Sequence, residues 1–168
     1  MQVKLKLGLS FLFAILLHFW QTALFPYFHI HSFLPFLALS FLLKDRPTSL
    51  WMCIASGVII DCFTYTKMGI WPLNFCLLNL TCYSLKTYFY ADKPLHLGIY
   101  TAILSFVSSL FHIIFLFLFD RSLSFSGKWM VIDFGFMPLM DGVYAIIWLS
   151  VFLGAVDQVI KKWKAKAK

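Results

Sequence analysis

Asp61, in the run Gly57-Val58-Ile59-Ile60-Asp61 with Gly69 eight residues later, is the residue of this chain with the most chemistry to account for. A carboxylate inside an apolar segment costs about 2.5–3.5 kcal/mol on insertion scales, so a partner must offset it. Gly57 and Asp61 lie one helical turn apart and share a face, with Cys53 a further turn back. The glycine lets a neighbouring backbone come close, and the acid can then hydrogen-bond to it. The pattern predicts a helix-docking surface with a polar lock, formed by Gly57, Asp61 and Gly69, that receives a helix of another chain. On that reading Gly57→Leu blocks docking more severely than Asp61→Asn, and folding does not suffer.

A second set of polar residues interrupts the apolar tracts: His18, Gln21, Asn74, His112 and Asp141. Histidine and aspartate together could bind a cation, but no HxxxH or HExxH pair falls on one predicted helix. Asp61 and Asp141 could share a proton as an aspartyl dyad. Neither sits in a Gly-x-Gly-Asp or in the Asn/Ala-rich context of lipoprotein signal peptidases, and no Gly-x-Ser-x-Gly accompanies the histidines. These residues predict no enzyme, no cofactor and no metal. A hydrophilic pocket opening outward, a buried hydrogen-bond network and a docking site for another helix all fit the set. His29 and His31 read as interfacial side chains. Cys53, Cys62, Cys76 and Cys82 lack CxxC spacing and read as small hydrophobes.

The elements that must position these residues are apolar. Hydrophobic residues make up 61% of the 168 residues and charged residues 12%, about half the charge of a soluble domain, which predicts an all-α integral membrane protein. Stretches near twenty residues predict about six transmembrane helices, at Leu7–Phe25, Ile30–Leu43, Ser49–Thr64, Gly69–Tyr90, Leu95–Phe119 and Phe134–Val156. They leave room for a single polytopic domain over 1–168 and no separate soluble one. The second stretch is short, with Pro35 near its start, so a tilted span and a re-entrant piece are both open. Lys44-Asp45-Arg46-Pro47 and Ala91-Asp92-Lys93-Pro94 punctuate the chain as turns that start the next helix. Trp20, Trp51, Trp71, Tyr90, Trp129 and Trp163 read as an interfacial belt, and Ser105 and Ser109 as a small-xxx-small pair.

The chain carries 14 Lys plus Arg against 7 acidic residues, an excess that could suggest nucleic acid. The basic residues lie instead at tract ends, where positive-inside bias and anionic lipid headgroups explain them. Six crossings with both termini cytoplasmic put eleven basic residues inside, including five C-terminal lysines, and three outside, at Lys67, Arg121 and Lys128. That topology brings His18, Gln21, Asp61, Asn74, His112 and Asp141 to a common level near the outer face. Leu7–Phe25 is long for a signal-peptide core and lacks a small-residue cleavage site, so it reads as a retained first helix.

The order Gln21-Thr22, Pro26, Pro35, Arg46-Pro47, Gly57-x-x-x-Asp61 and Gly69 resembles the MreD family of bacterial rod-shape-determining inner-membrane proteins, over about residues 15 to 80. Family members often carry an acid directly after the second-helix proline, where this chain has Phe36, and a small or Gly-containing turn where it has Cys62 to Lys67. The resemblance implies a non-enzymatic component of the cell-elongation machinery in the bacterial inner (cytoplasmic) membrane. It implies docking of an MreC-like single-span scaffold and help in organising peptidoglycan synthesis by a RodA-like polymerase and its transpeptidase partner, in register with MreB filaments. It also implies a six-helix fold similar to the substrate-binding S components of energy-coupling-factor vitamin or metal transporters, which supply the alternative function.

Overall fold

The computed structural model describes residues 2–24, 31–64, 67–91, 93–119, 130–148, 150, 151 and 154. Pro26, His29, Arg121, Lys128, Trp129, Trp163 and the five C-terminal lysines lie outside them. The described residues form helices joined by short turns, with no strand: α1 (Gln2–Leu24), α2 (Leu34–Leu43), α3 (Arg46–Phe63), α4 (Ile70–Cys82), α5 (Pro94–Phe119) and α6 (Met137–Trp148). A 3₁₀ segment, Tyr83–Tyr88, continues α4, and a π turn, Ile132–Phe136, leads into α6.

Proline and glycine set the helix starts. Pro35 and Pro47 occupy the first turns of α2 and α3, where their missing N–H groups cost nothing, and Pro94 opens α5. The predicted fourth helix, Gly69–Tyr90, is divided: α-helix ends at Cys82 and the tighter 3₁₀ winding carries the chain to Tyr88.

α2 is the core. Every residue from Leu34 to Phe41 is buried, and the helix packs against α1, α3, α5, α6 and the 3₁₀ segment. A helix apolar on all sides is stable only when surrounded on all sides. Its ten residues make about 15 Å of helix, half the thickness of a bilayer's hydrocarbon core. The short second stretch is thus an internal strut, with a turn at His31–Phe33 in place of the predicted helix start.

Two tightly packed helix pairs flank it, α3 with α4 and α5 with α6. In the second, Gly98 and Gly142 face each other, and a Cβ built on Gly142 would lie 3.0 Å from the Gly98 carbonyl oxygen. Only small residues allow backbones this close. Among the described residues, α5 alone is long and apolar enough to cross a membrane by itself, while the apolar parts of α1 and α2 are shorter.

Candidate functional site

The Gly57, Asp61, Gly69 constellation assembles as a unit between α3 and α4. Asp61 Oδ2 accepts the Gly69 N–H at 2.6 Å, and Oδ1 accepts the Trp71 N–H at 3.4 Å. Helix starts expose amides that need acceptors, and here each one is accounted for. The Ile70 N–H goes to the Lys67 carbonyl at 3.4 Å, the Leu73 N–H to the Gly69 carbonyl at 3.2 Å, and Pro72 has none to satisfy. Asp61 therefore caps α4 from the end of α3, a role usually played by the residue just before the helix. Gly69 has φ of 100°, in the left-handed region that favours glycine.

Gly57 sits against the same turn. A Cβ there would come within 2.4 Å of the Cα and N of Pro72 and 2.8 Å of the Trp71 carbonyl carbon. All three are backbone atoms, which cannot swing aside as a side chain can. The face carrying Gly57 and Asp61, with Cys53, Ser56 and Ile60, is buried. This corrects the expected docking partner. The close backbone approach and the polar lock are present, but the docked helix is α4 of the same chain. Two polar contacts continue the α3–α4 seam at its other end: Asn79 Nδ2 donates to Ser49 Oγ at 2.7 Å, and Arg46 to the Leu80 carbonyl at 3.0 Å.

The second set forms a band across the bundle. Asp141, fully buried on α6, accepts the His31 backbone N–H at 3.1 Å and the Ser105 hydroxyl at 2.6 Å. Its Oδ2 also lies 3.0 Å from His31 Nδ1, an ion pair whenever the imidazole is protonated. One carboxylate thus ties the turn before α2 to α5 and α6. Asn74 on α4 donates to the carbonyl and hydroxyl of Ser108 on α5, at 3.1 and 3.2 Å. Four residues further along α5, the His112 ring stacks on Trp71 with centroids 4.7 Å apart. Trp71 also meets the His31 ring edge-on at 5.7 Å. At the α1 side, His18 Nδ1 pairs with Ser32 Oγ at 3.1 Å, and Gln21 stays half-buried three residues beyond it.

Of the predicted polar layer, His18, Asn74, His112 and Asp141 fall into this band, linked through residues the sequence reading placed elsewhere. His31 is the partner of Asp141 rather than an interfacial side chain. Trp71 is packed against His112, His31 and Phe75, with its indole nitrogen buried, and does not belong to an outer belt. Trp20, Trp51 and Tyr90 are exposed. Ser105 serves Asp141 as a donor. The sequence signal for these links is the row of polar residues on α5, Thr101, Ser105, Ser108 and His112, spaced three or four apart on one helical face.

The band is incompletely satisfied. His18 Nε2, Trp71 Nε1, Asn74 Oδ1, His112 Nδ1 and the Tyr144 hydroxyl are buried without a hydrogen-bond partner. Buried polar atoms are usually paired in folded proteins, and the α3–α4 seam holds two more of the unpaired kind, Ser56 Oγ and Asn79 Oδ1. Among the described residues no three His, Cys, Asp or Glu side chains group in a way that could hold a metal ion. Comparison with protein families, with curated proteins and with solved structures finds no match for the chain.

Proposed function

We infer that this is a multi-pass membrane protein that serves as a non-enzymatic, MreD-like component of a bacterial cell-elongation machinery. The membrane part of the reading rests on where apolar and polar groups lie. Ile99, Phe106, Leu110, Ile114, Phe117 and Leu118 are exposed along α5, as are Leu12, Leu16 and Phe19 on α1. Serines, asparagines and Asp141 lie inside. Water would make such an exterior a severe liability, while lipid makes it neutral and favours small and polar residues between helices. The basic residues, eleven against three on a path of six crossings, support a cytoplasmic location for both termini.

The observation that carries the elongation reading is the Gly57, Asp61, Gly69 seam. The sequence pattern that resembles the MreD family is the one that closes the α3–α4 hairpin, so the resemblance falls on residues that define a fold. Each carboxylate has its own structural task, Asp61 capping α4 and Asp141 holding His31 and Ser105, which speaks against a proton-sharing catalytic dyad. Partners on this reading are an MreC-like single-span scaffold and, through it, a RodA-like polymerase with its transpeptidase. The test is depletion in a rod-shaped host that depends on this protein, with co-purification of the MreC-like chain. Rounding of the cells and recovery of the complex are expected; rods that persist, with no MreC-like chain recovered, overturn the proposal.

The unpaired polar atoms of the band favour one second reading, an S component that captures a small ligand. Mass spectrometry of gently solubilised protein separates the two. A stoichiometric small molecule other than a lipid supports transport, and its absence supports the scaffold.

A further inference from the structure

Among the described residues, one face of the bundle carries a groove. α1 meets the end of α3 through His18 and Phe19, whose rings contact Phe63, but the two helices part towards the other end. The gap between them is a groove of about 480 Å³ whose floor is Phe36 of α2, with Leu7, Phe11 and Met52 as walls. At Gly8 a Cβ would meet nothing within 4 Å, and Trp51 stands at the rim with 72% of its surface exposed. From Phe36 to Lys44 the groove follows α2 for about 12 Å.

Its chemistry is asymmetric. Thr48 and Lys44 are the polar groups of the lining, and both lie at the end where α2 gives way to α3. Lys86 lies beside them, its ammonium held by the Tyr83 hydroxyl and 3.5 Å from the Lys44 carbonyl oxygen, while Arg46 turns away to the Leu80 carbonyl. Asp45, exposed between Lys44 and Arg46, is the one acid of that turn. Lys44 in the lining and Lys86 beside it, against the one acid Asp45, put net positive charge at the end of an apolar slot, which matches a molecule with an anionic head and a hydrocarbon tail.

We propose that this groove is a binding site for one anionic phospholipid, with its phosphate at Lys44 and an acyl chain lying over Phe36 between Phe11 and Met52. The proposal rests on the membrane reading, which places this mouth at the cytoplasmic headgroup level, where basic pockets between helices take up anionic lipid heads. The volume lies within the 300–1,000 Å³ range usual for small-molecule sites. A bound chain would cover the half-buried Phe11 and Met52 and the exposed Trp51, above the already buried Phe36.

The test uses the full-length protein, first extracted from membranes and then offered equal amounts of phosphatidylglycerol and phosphatidylcholine with identical acyl chains. Retained lipid is counted by native mass spectrometry. One phosphatidylglycerol retained in preference to phosphatidylcholine is expected. Lys44→Gln should lower that preference about fivefold, the effect of one basic residue at an anionic surface. Gly8→Leu, which fills the groove from a position with free space, should abolish retention of both lipids. Equal retention of the two lipids by the wild type, an unchanged preference in Lys44→Gln, or wild-type retention in Gly8→Leu overturns the site. So does a dimer, or a bound partner helix, that seals the groove. Release of the chain from membranes by alkaline carbonate would instead defeat the membrane reading, and the lipid site with it.

Discussion

The α3–α4 seam and the polar band are built from the same residue types, and both mix engaged carboxylates with buried polar atoms that have no partner. At the seam Asp61 satisfies two amides, Pro72 brings none, and Gly57 removes the side chain that would hold the backbones apart. In the band Asp141 is equally engaged, yet five buried polar atoms around it and its neighbours have no partner. The capped turn at Asp61 is a structural device, because its amides leave nothing for a ligand or partner to gain, although Ser56 Oγ and Asn79 Oδ1 further along the seam are buried without a partner. An unfinished polar contact in a low-dielectric interior is expensive, and its retention calls for a use. The comparison separates the capped Gly57–Asp61 turn, where every helix-start amide has an acceptor, from the level of His18, Trp71, Asn74 and His112, where four of the unpaired atoms lie.

The sharpest way to break this comparison is Gly57→Leu. If the motif faced another chain, the variant would fold normally and lose its partner. Because Gly57 meets the backbone of Pro72 and Trp71, the helices must separate, and the hairpin that holds Trp71 and Asn74 in the band separates with them. The expected result is loss of folded protein, seen as aggregation on size-exclusion chromatography in detergent and low membrane abundance. Normal abundance with selective loss of a partner would restore the docking role.

Asp141→Ala is next in size. It leaves His31 and Ser105 without their acceptor in a buried setting, and removing one side of a buried pair costs about 3–5 kcal/mol. Thermal unfolding in detergent should show a lowered midpoint, with the turn at His31–Phe33 becoming accessible to protease. Asp61→Ala should cost less, about 1–3 kcal/mol, since the Gly69 and Trp71 amides lose a side-chain acceptor at a partly buried helix start. Asp61→Asn keeps one acceptor oxygen and should fall between Asp61→Ala and the wild type in the same melt. The reverse order, with Asp61→Ala more damaging than Asp141→Ala, would mean that the seam outranks the band as a source of stability.

Short-range features of this fold were legible in the sequence. Pro35, Pro47 and Pro94 mark helix starts because a missing N–H costs nothing there, and Gly57 with Asp61 predicts a close, polar helix contact from one turn of spacing. The identity of that contact's other half was not legible. Gly69 and Trp71 offer backbone amides, which carry no sequence signature, and the hairpin turn that brings them back to Asp61 is a property of chain geometry. The burial of α2 was hidden for a different reason. A ten-residue apolar stretch looks the same whether it faces lipid or other helices, and only the surrounding helices decide. His31 and Asp141 are separated by 110 positions, so their pairing depends on the whole bundle closing.

The smallest expected change in stability carries the most functional weight. His112→Phe retains a flat ring against Trp71, where centroids lie 4.7 Å apart, and removes a buried nitrogen that has no partner. Deleting an unsatisfied polar atom while preserving shape is close to neutral or slightly stabilising, so the melting midpoint and membrane abundance should match the wild type. If the band exists to meet a partner or a ligand, the same variant should nonetheless fail to support rod shape, or fail to retain the molecule that the wild type retains. Stability unchanged with function lost would place the working surface at the band. A variant that keeps both would leave His112 as packing, and the search would pass to Asn74 and Trp71, whose unpaired atoms lie in the same region. Marked destabilisation would mean that the histidine nitrogen is satisfied in the membrane by something bound there, and that the band is occupied in the resting protein.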